Sequence, residues 1–262
     1  MDRVGNLMVG LSKRLLTIAE HVPQGSKLAD IGSDHALLPV YLAQRGITAS
    51  AIAGELNAGP YAAALKQVEE AGLRSFIEVR QGDGLEVIAS GEVDVITIAG
   101  MGGLLIVQIL TQGVAKLNQV QRMILQPNVG EEVVRRWLVE HDWFLSEEYI
   151  IQEDGKIYEV LVADRSEQAK DLNQSLYQER QIAGKTVNKE RLIAMGPYLL
   201  TQADPIWIQK WQDELFKLQR IVEQLSRSEL EASLQRQQQI QNEMIEIQEV
   251  IACSQKVKPS FK

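Results

Sequence analysis

Residues 27–39 read KLADIGSDHALLP, and the fold turns on them. A short apolar run ends in Asp30-Ile31-Gly32, and a helical pattern follows almost at once. A strand that stops at a glycine and yields to a helix is the repeating unit of a doubly wound α/β sheet. The same grammar recurs outward from it. Strands are expected at 27–32, 50–56, 76–83, 93–100, 121–127, 144–151 and 157–164. The first, second, fourth and fifth are largely apolar, as strands covered on both faces are. Helical patterns fill 36–45, 58–72, 102–117 and 130–140, and Gly46 and Gly72 fall where helices stop. Only Gln152 to Lys156 separates the last two strands, too short a link for a crossover. That requires an antiparallel hairpin. The expectation is a mainly parallel seven-stranded sheet ending in one antiparallel strand.

The chain has 262 residues and a net charge of -8, with 45% hydrophobic and 24% charged residues, ordinary for a soluble globular protein. No run of about 18 apolar residues is present, so no membrane span is expected. Asp2, Arg3, Lys13 and Arg14 interrupt the N-terminal region, which does not read as a signal peptide. Cys253 is the only cysteine, so neither an internal disulfide nor a Cys-based zinc site is expected, and no metal is called for. A cytoplasmic protein follows, and nothing here demands more than a monomer.

The β signal fades after Arg165. Residues 1–165 carry 14 basic and 22 acidic residues, whereas 166–262 carry 13 of each. Two domains are therefore expected, 1–165 and 166–262, the second opening with an irregular connector. Ile208, Trp211, Leu215, Leu218, Val222 and Leu225 then recur at gaps of three and four. A second stripe runs through Leu230, Leu234, Ile240, Met244, Ile247 and Ile251. Two helices joined near Ser226 to Ser228 would bury both stripes in a coiled-coil-like antiparallel hairpin.

Ligands of open α/β sheets bind beyond the carboxyl ends of the strands. Those ends carry Asp30-Ile31-Gly32-Ser33-Asp34-His35, Gly54-Glu55-Leu56, Gly82-Asp83-Gly84 and Ala99-Gly100-Met101-Gly102-Gly103. The dinucleotide fingerprint needs three glycines after the first strand, but its later places hold Asp34 and Ala36. A pyrophosphate would sit poorly beside Asp30 and Asp34. A cationic nucleoside is favoured instead, and S-adenosylmethionine, with its sulfonium and amino group, fits. Glu55 follows Gly32 by 23 residues, the place from which an acid accepts ribose hydroxyls. Asp83 is placed to accept from an adenine amine.

The segments ADIGSDHALLP (29–39), IAGELNAGP (52–60), GDGLEVI (82–88), IAGMGG (98–103) and LQPN (125–128) closely resemble the bacterial tRNA (adenine-22-N1)-methyltransferase family. LSKRL (11–15) and GPYLL (196–200) resemble it too, so the likeness runs over nearly the whole chain. It implies a class I methyltransferase (Rossmann-like) domain followed by a helical hairpin. It also implies S-adenosylmethionine-dependent methylation of adenine N1 in the tRNA D-arm region. By that resemblance Asp30, Gly32, Asp34 and His35 surround the methionine end of the donor. Glu55 and Leu56 hold ribose and one adenine face, Gly82, Asp83 and Gly84 the adenine edge, and Ala99, Gly100 and Met101 the floor.

Adenine N1 carries an in-plane lone pair, so no strong base is needed. Alignment and electrostatic support of the cationic product are the expected tools. Asp34 is the candidate for that support, with donor binding or helix capping as its other readings. His35 reads as a helix-start residue. The Gln126-Pro127-Asn128 turn would meet the extruded base. Arg3, Lys13, Arg14, Arg135 and Arg136, with Lys210, Lys217, Arg220 and Arg227 on the hairpin, are candidate phosphate contacts, the N-terminal and hairpin sets flanking the tRNA. The competing readings are a methyltransferase of another RNA or of protein, a nicotinamide dehydrogenase, and a non-catalytic nucleoside-binding scaffold whose hairpin recruits partners.

Overall fold

The computed structural model describes residues 8–227 and 230–257. Two compact units divide between Asn173 and Gln174.

In the first unit, α1 (Lys13–Glu20) precedes strand β1 (Ser26–Ile31). Then follow α2 (Leu37–Gln44), β2 (Thr48–Glu55), α3 (Ala58–Glu70), β3 (Ile77–Gln81) and β4 (Val95–Met101). The unit continues through α4 (Gly103–Gln112), β5 (Arg122–Pro127), α5 (Glu131–Glu140), β6 (Trp143–Glu153) and β7 (Lys156–Arg165). The seven strands order as β3-β2-β1-β4-β5-β7-β6, with β1 to β5 parallel and β7 antiparallel to both of its neighbours. All seven expected strands are present. The antiparallel strand is not the edge, however. β7, with Val160 to Ala163 fully buried, inserts between β5 and β6. The half-exposed β6 is left outside. Strand order reverses between β1 and β4, which opens a crevice at their carboxyl ends.

The helix expected over 102–117 stops at Gln112. A Cβ on Gly113 would stand 2.5 Å from the Leu85 Cβ, so only glycine fits there, and the chain continues as a 3₁₀ segment from Val114 to Gln119. Arg135 corrects another expectation. It faces inward from α5, is 0% exposed, and its Nε lies 2.6 Å from Glu148 Oε1 while Nη2 pairs with Glu159. Both carboxylates are also fully buried, so Arg135 is a structural ion-pair centre and not a phosphate contact. Arg136 is exposed.

α6 (Ala169–Leu176) spans the division between the units. The second unit contains a small antiparallel hairpin, β8 (Arg180–Ile182) and β9 (Lys185–Val187), that the sequence reading missed within its irregular connector. Ala183 and Gly184 turn it with φ of +47° and +86°, the two-residue geometry that suits strand twist. Then come α7 (Lys189–Met195), α8 (Pro197–Gln202), α9 (Pro205–Leu225) and α10 (Glu231–Val257). α9 and α10 pack on each other, and Trp207, Trp211, Leu218 and Val222 of α9 and Ile240 and Ile247 of α10 are buried. Leu230 and Leu234, expected in that stripe, are exposed.

Candidate active site

A cleft of about 300 Å³ opens at the carboxyl ends of β1 and β4. Asp30, Gly32, Ser33 and Asp34 line it from the first strand and turn, and Ala99, Gly100 and Met101 from the fourth. Arg14, Leu15, Asn128 and Tyr158 close its sides.

Asp30 is 4% exposed, and its carboxylate accepts from Ser33 Oγ at 2.5 Å and from Thr97 Oγ1 at 2.6 Å. Burial raises its pKa above the ordinary carboxylate value, while these hydroxyls and the Arg14 charge pull it back. Glu55 ends β2, also buried, and burial likewise raises its pKa. The negative Asp30 and Asp34 raise it further, and the Asp34 backbone N–H, donating to it, opposes the shift. The Glu55 Oε1 has no hydrogen-bond partner. A buried acceptor left open at a strand end is ready for a donor from a ligand.

The turn after β1 is strained. Asp34, His35 and Ala36 follow one another with φ of +46°, +66° and +54°. The left-handed region costs a non-glycine residue roughly 1–2 kcal/mol, and such strain gathers at functional sites. It throws the Asp34 side chain outward, 84% exposed, with His35 Nε2 3.6 Å from its Oδ1. The helix-capping reading of Asp34 is thereby corrected, because α2 is capped at Ala36 with no side-chain hydrogen bond. His35 precedes that cap and does not line the cleft.

Gly100, at φ +77°, forms a bulge in β4 where pairing with β5 shifts register. Its N–H donates to Gln126 Oε1 at 3.1 Å and its carbonyl accepts from Asn128 Nδ2 at 2.7 Å. The same Gln126 oxygen accepts from Arg14 Nη1 at 2.6 Å. Gln126 Nε2 donates to the Pro127 carbonyl and to Asn128 Oδ1. Gln126 is 0% exposed, so it holds the rim together instead of facing a base. Arg14 sits 5.5 Å from the Tyr158 ring centre, and Glu153 accepts from the backbone N–H groups of Lys13 and Arg14 at the start of α1. Ser33, Thr97, Tyr158 and Glu153 were not singled out in the sequence, since their roles depend on contacts between distant strands. Leu56 and Asp83 are exposed beyond β2 and β3, outside the cleft lining. Gly82 and Gly84 flank Asp83, and the Gly82 N–H donates to the Glu55 carbonyl.

The profile of the family described as tRNA (adenine(22)-N(1))-methyltransferase matches residues 28–250. A Bacillus subtilis protein described in the same words is 44% identical over 92% of this chain and 97% of its own. The chain belongs to the tRNA (adenine(22)-N(1))-methyltransferase family. The crystal structure of the B. subtilis M1A22 tRNA methyltransferase superposes with a TM-score of 0.82 at 42% identity, covering 93% of this chain and 99% of that one. A Streptococcus pneumoniae relative solved in complex with S-adenosyl-L-methionine gives a TM-score of 0.76 at 40% identity, covering 92% and 100%. The Rossmann-like methyltransferase fold of this family is therefore the fold of this chain, with the α9–α10 pair beyond it. Among the described residues no helix is long and apolar enough to cross a membrane, and no cluster of His, Cys, Asp or Glu is arranged to hold a metal ion.

Asp30 supplies a test with two opposed readouts. Its folded-state pKa is raised, so the folded chain binds this proton more readily than the unfolded chain. Stability from this group therefore rises as pH falls through the folded pKa toward the ordinary value, and is lost again above it. Asp30→Asn removes the buried charge while keeping a partner for Ser33 and Thr97. Thermal melting at neutral pH is expected to rise slightly, while affinity for a cationic nucleoside drops about tenfold, read by calorimetry.

Proposed function

We propose that this chain methylates N1 of adenine 22 in tRNA with S-adenosylmethionine as donor. The observation that carries the reading is the cleft lined by Asp30 and Asp34 at the strand-order switch of a family member, with the buried, open oxygen of Glu55 at the end of the neighbouring strand. A ribose hydroxyl would satisfy that oxygen, and a positively charged methionine end suits Asp30 and Asp34. The donor supplies an electrophilic methyl group. Everything else falls to the protein. Leu56 offers an apolar face for adenine, and Asp83 an acceptor for its amine. Ala99, Gly100 and Met101 form a floor whose bulge Gln126 and Asn128 pin from both sides.

Asn128 and Tyr158 are assigned to the extruded target base and Arg14 to its phosphate, with Gln126 positioning all of them. N1 needs no proton removed, and Asp34, exposed at the mouth, supports the charge that develops on the methylated ring. A cytoplasmic setting follows from a tRNA substrate. The test is methyl incorporation into unmodified tRNA with nucleoside analysis of the product. 1-Methyladenosine at position 22 is expected; another methylated nucleoside, methylated protein, or no product would overturn the reading.

For tRNA docking, Arg3 lies outside the described residues and Arg135 is buried. Lys13, Arg220 and Arg227 are exposed, and Lys217 is exposed beside Glu214. Reversing the charge of these four is expected to weaken tRNA binding at least tenfold and flatten its salt dependence, with donor affinity unchanged. Unaltered filter binding across a salt series would reject these phosphate contacts.

A further inference from the structure

Exposed apolar side chains gather beside the cleft without lining it. Leu104, in the first turn of α4, is 74% exposed, and Val129, in the turn between β5 and α5, is 67% exposed. Neither belongs to a hydrophobic core, and the cleft residues Met101 and Asn128 stand close by in each segment. The two turns are locked together. The Gly103 N–H donates to the Val129 carbonyl at 2.8 Å, and the Asn128 N–H donates to the Met101 carbonyl at 2.7 Å. A Cβ on Gly103 would fall 2.2 Å from the Gly130 carbonyl oxygen, so the backbones touch as closely as two chains can. A Cβ on Gly102 would meet the Val129 side chain at 4.0 Å. Leu104 and Val129 thus stand on a rigid double turn at the mouth.

An adenine inside a base-paired arm cannot reach any cleft without leaving its stack. The vacated space must be filled, and proteins that unstack nucleic acid do so with aliphatic side chains held on stiff supports. We propose that Leu104 and Val129 form an apolar wedge that occupies the place of the target adenine while that base sits in the cleft. The proposal rests on the tRNA-methylation reading and adds to it a substrate-opening device separate from the residues that bind donor and base. Continuity with the cleft mouth identifies the occupant as the RNA stack.

The experiment uses the full chain and a tRNA transcript with 2-aminopurine at position 22, whose fluorescence rises when it unstacks. With saturating S-adenosylhomocysteine, the unsubstituted protein is expected to raise the fluorescence several-fold. Leu104→Ser with Val129→Ser is expected to leave it near the level of free RNA, and Leu104→Met with Val129→Ile to restore it. On ordinary tRNA the serine variant should lose about thirtyfold in turnover. On a transcript with an abasic site opposite adenine 22 it should lose less than threefold. An undiminished fluorescence rise in the serine variant, or equal losses on both transcripts, overturns the wedge. So does a dimer of the unsubstituted chain in sedimentation that the serine variant abolishes, since the patch would then join two copies. If the unsubstituted protein methylates neither transcript, the functional reading fails, an outcome distinct from a wedge failure, in which both are methylated. Both positions are exposed, so an unchanged melting curve and unchanged donor affinity should accompany the defect.

Discussion

Asp34→Asn is expected to slow methyl transfer about a hundredfold while weakening donor binding by a smaller factor, at most about tenfold, since the same charge faces the donor's cationic end. Removing one preorganised electrostatic group facing developing charge costs about 10²–10³ in turnover. Asparagine keeps the shape of the side chain, and of the non-glycine residues it is among the most tolerant of the left-handed region that φ +46° imposes. The turn should therefore survive, leaving the lost charge as the difference. The side chain makes no helix cap and is 84% exposed, so no packing argument competes. Single-turnover rates and donor titration read the two quantities separately. Equal losses in both would make Asp34 a donor-binding residue only.

Arg135→Ala is expected to cost about 3–5 kcal/mol of stability, because it strands two buried carboxylates without their partner. Glu148 and Glu159 are both 0% exposed, reached from β6 and β7 respectively. For a unit of this size such a loss lowers the melting temperature by about 10 °C. The sign of its pH dependence follows from the stranded charges. Without Arg135, burial and mutual repulsion raise both folded-state pKa values above their unfolded ones, so the variant gains stability as pH falls through those raised values. The gap to the parent protein should narrow on acidification. Replacing all three residues with apolar ones of similar volume should restore most of the loss. A stability deficit below about 1 kcal/mol in denaturant unfolding would contradict this account of the triad.

The sequence made the sheet legible because each strand is a compact apolar run closed by a turn signal, and because the parallel core repeats that unit. What it hid was tertiary. The place of β7 between β5 and β6 depends on which strand has the better-covered faces, which chain order does not state. Gly113 stands at the end of α4 where Leu85 leaves no room for a side chain. The β8–β9 hairpin has three residues per strand, rich in Arg, Gln, Lys and Thr, and only Ala183-Gly184 marks its turn. Arg135 looked like surface charge, although it lies beside Val134 and Leu138 on the buried face of α5, a signal that periodicity offered.

The site followed the same division. Asp30, Gly32, Asp34, Ala99, Gly100 and Met101 were readable as strand-end residues, and the fold brings them to one cleft. Gln126 looked like a base contact and is instead fully engaged in holding Gly100, Arg14 and Asn128. Its burial follows from strand pairing that no local pattern displays.

The most direct measurement is isothermal calorimetry of the intact protein against S-adenosylmethionine, its demethylated product and NAD. Saturable heat with the first two and none with NAD is the predicted result. Heat with NAD alone, or with none of the three, would contradict an acidic rim built for a cationic sulfur nucleoside.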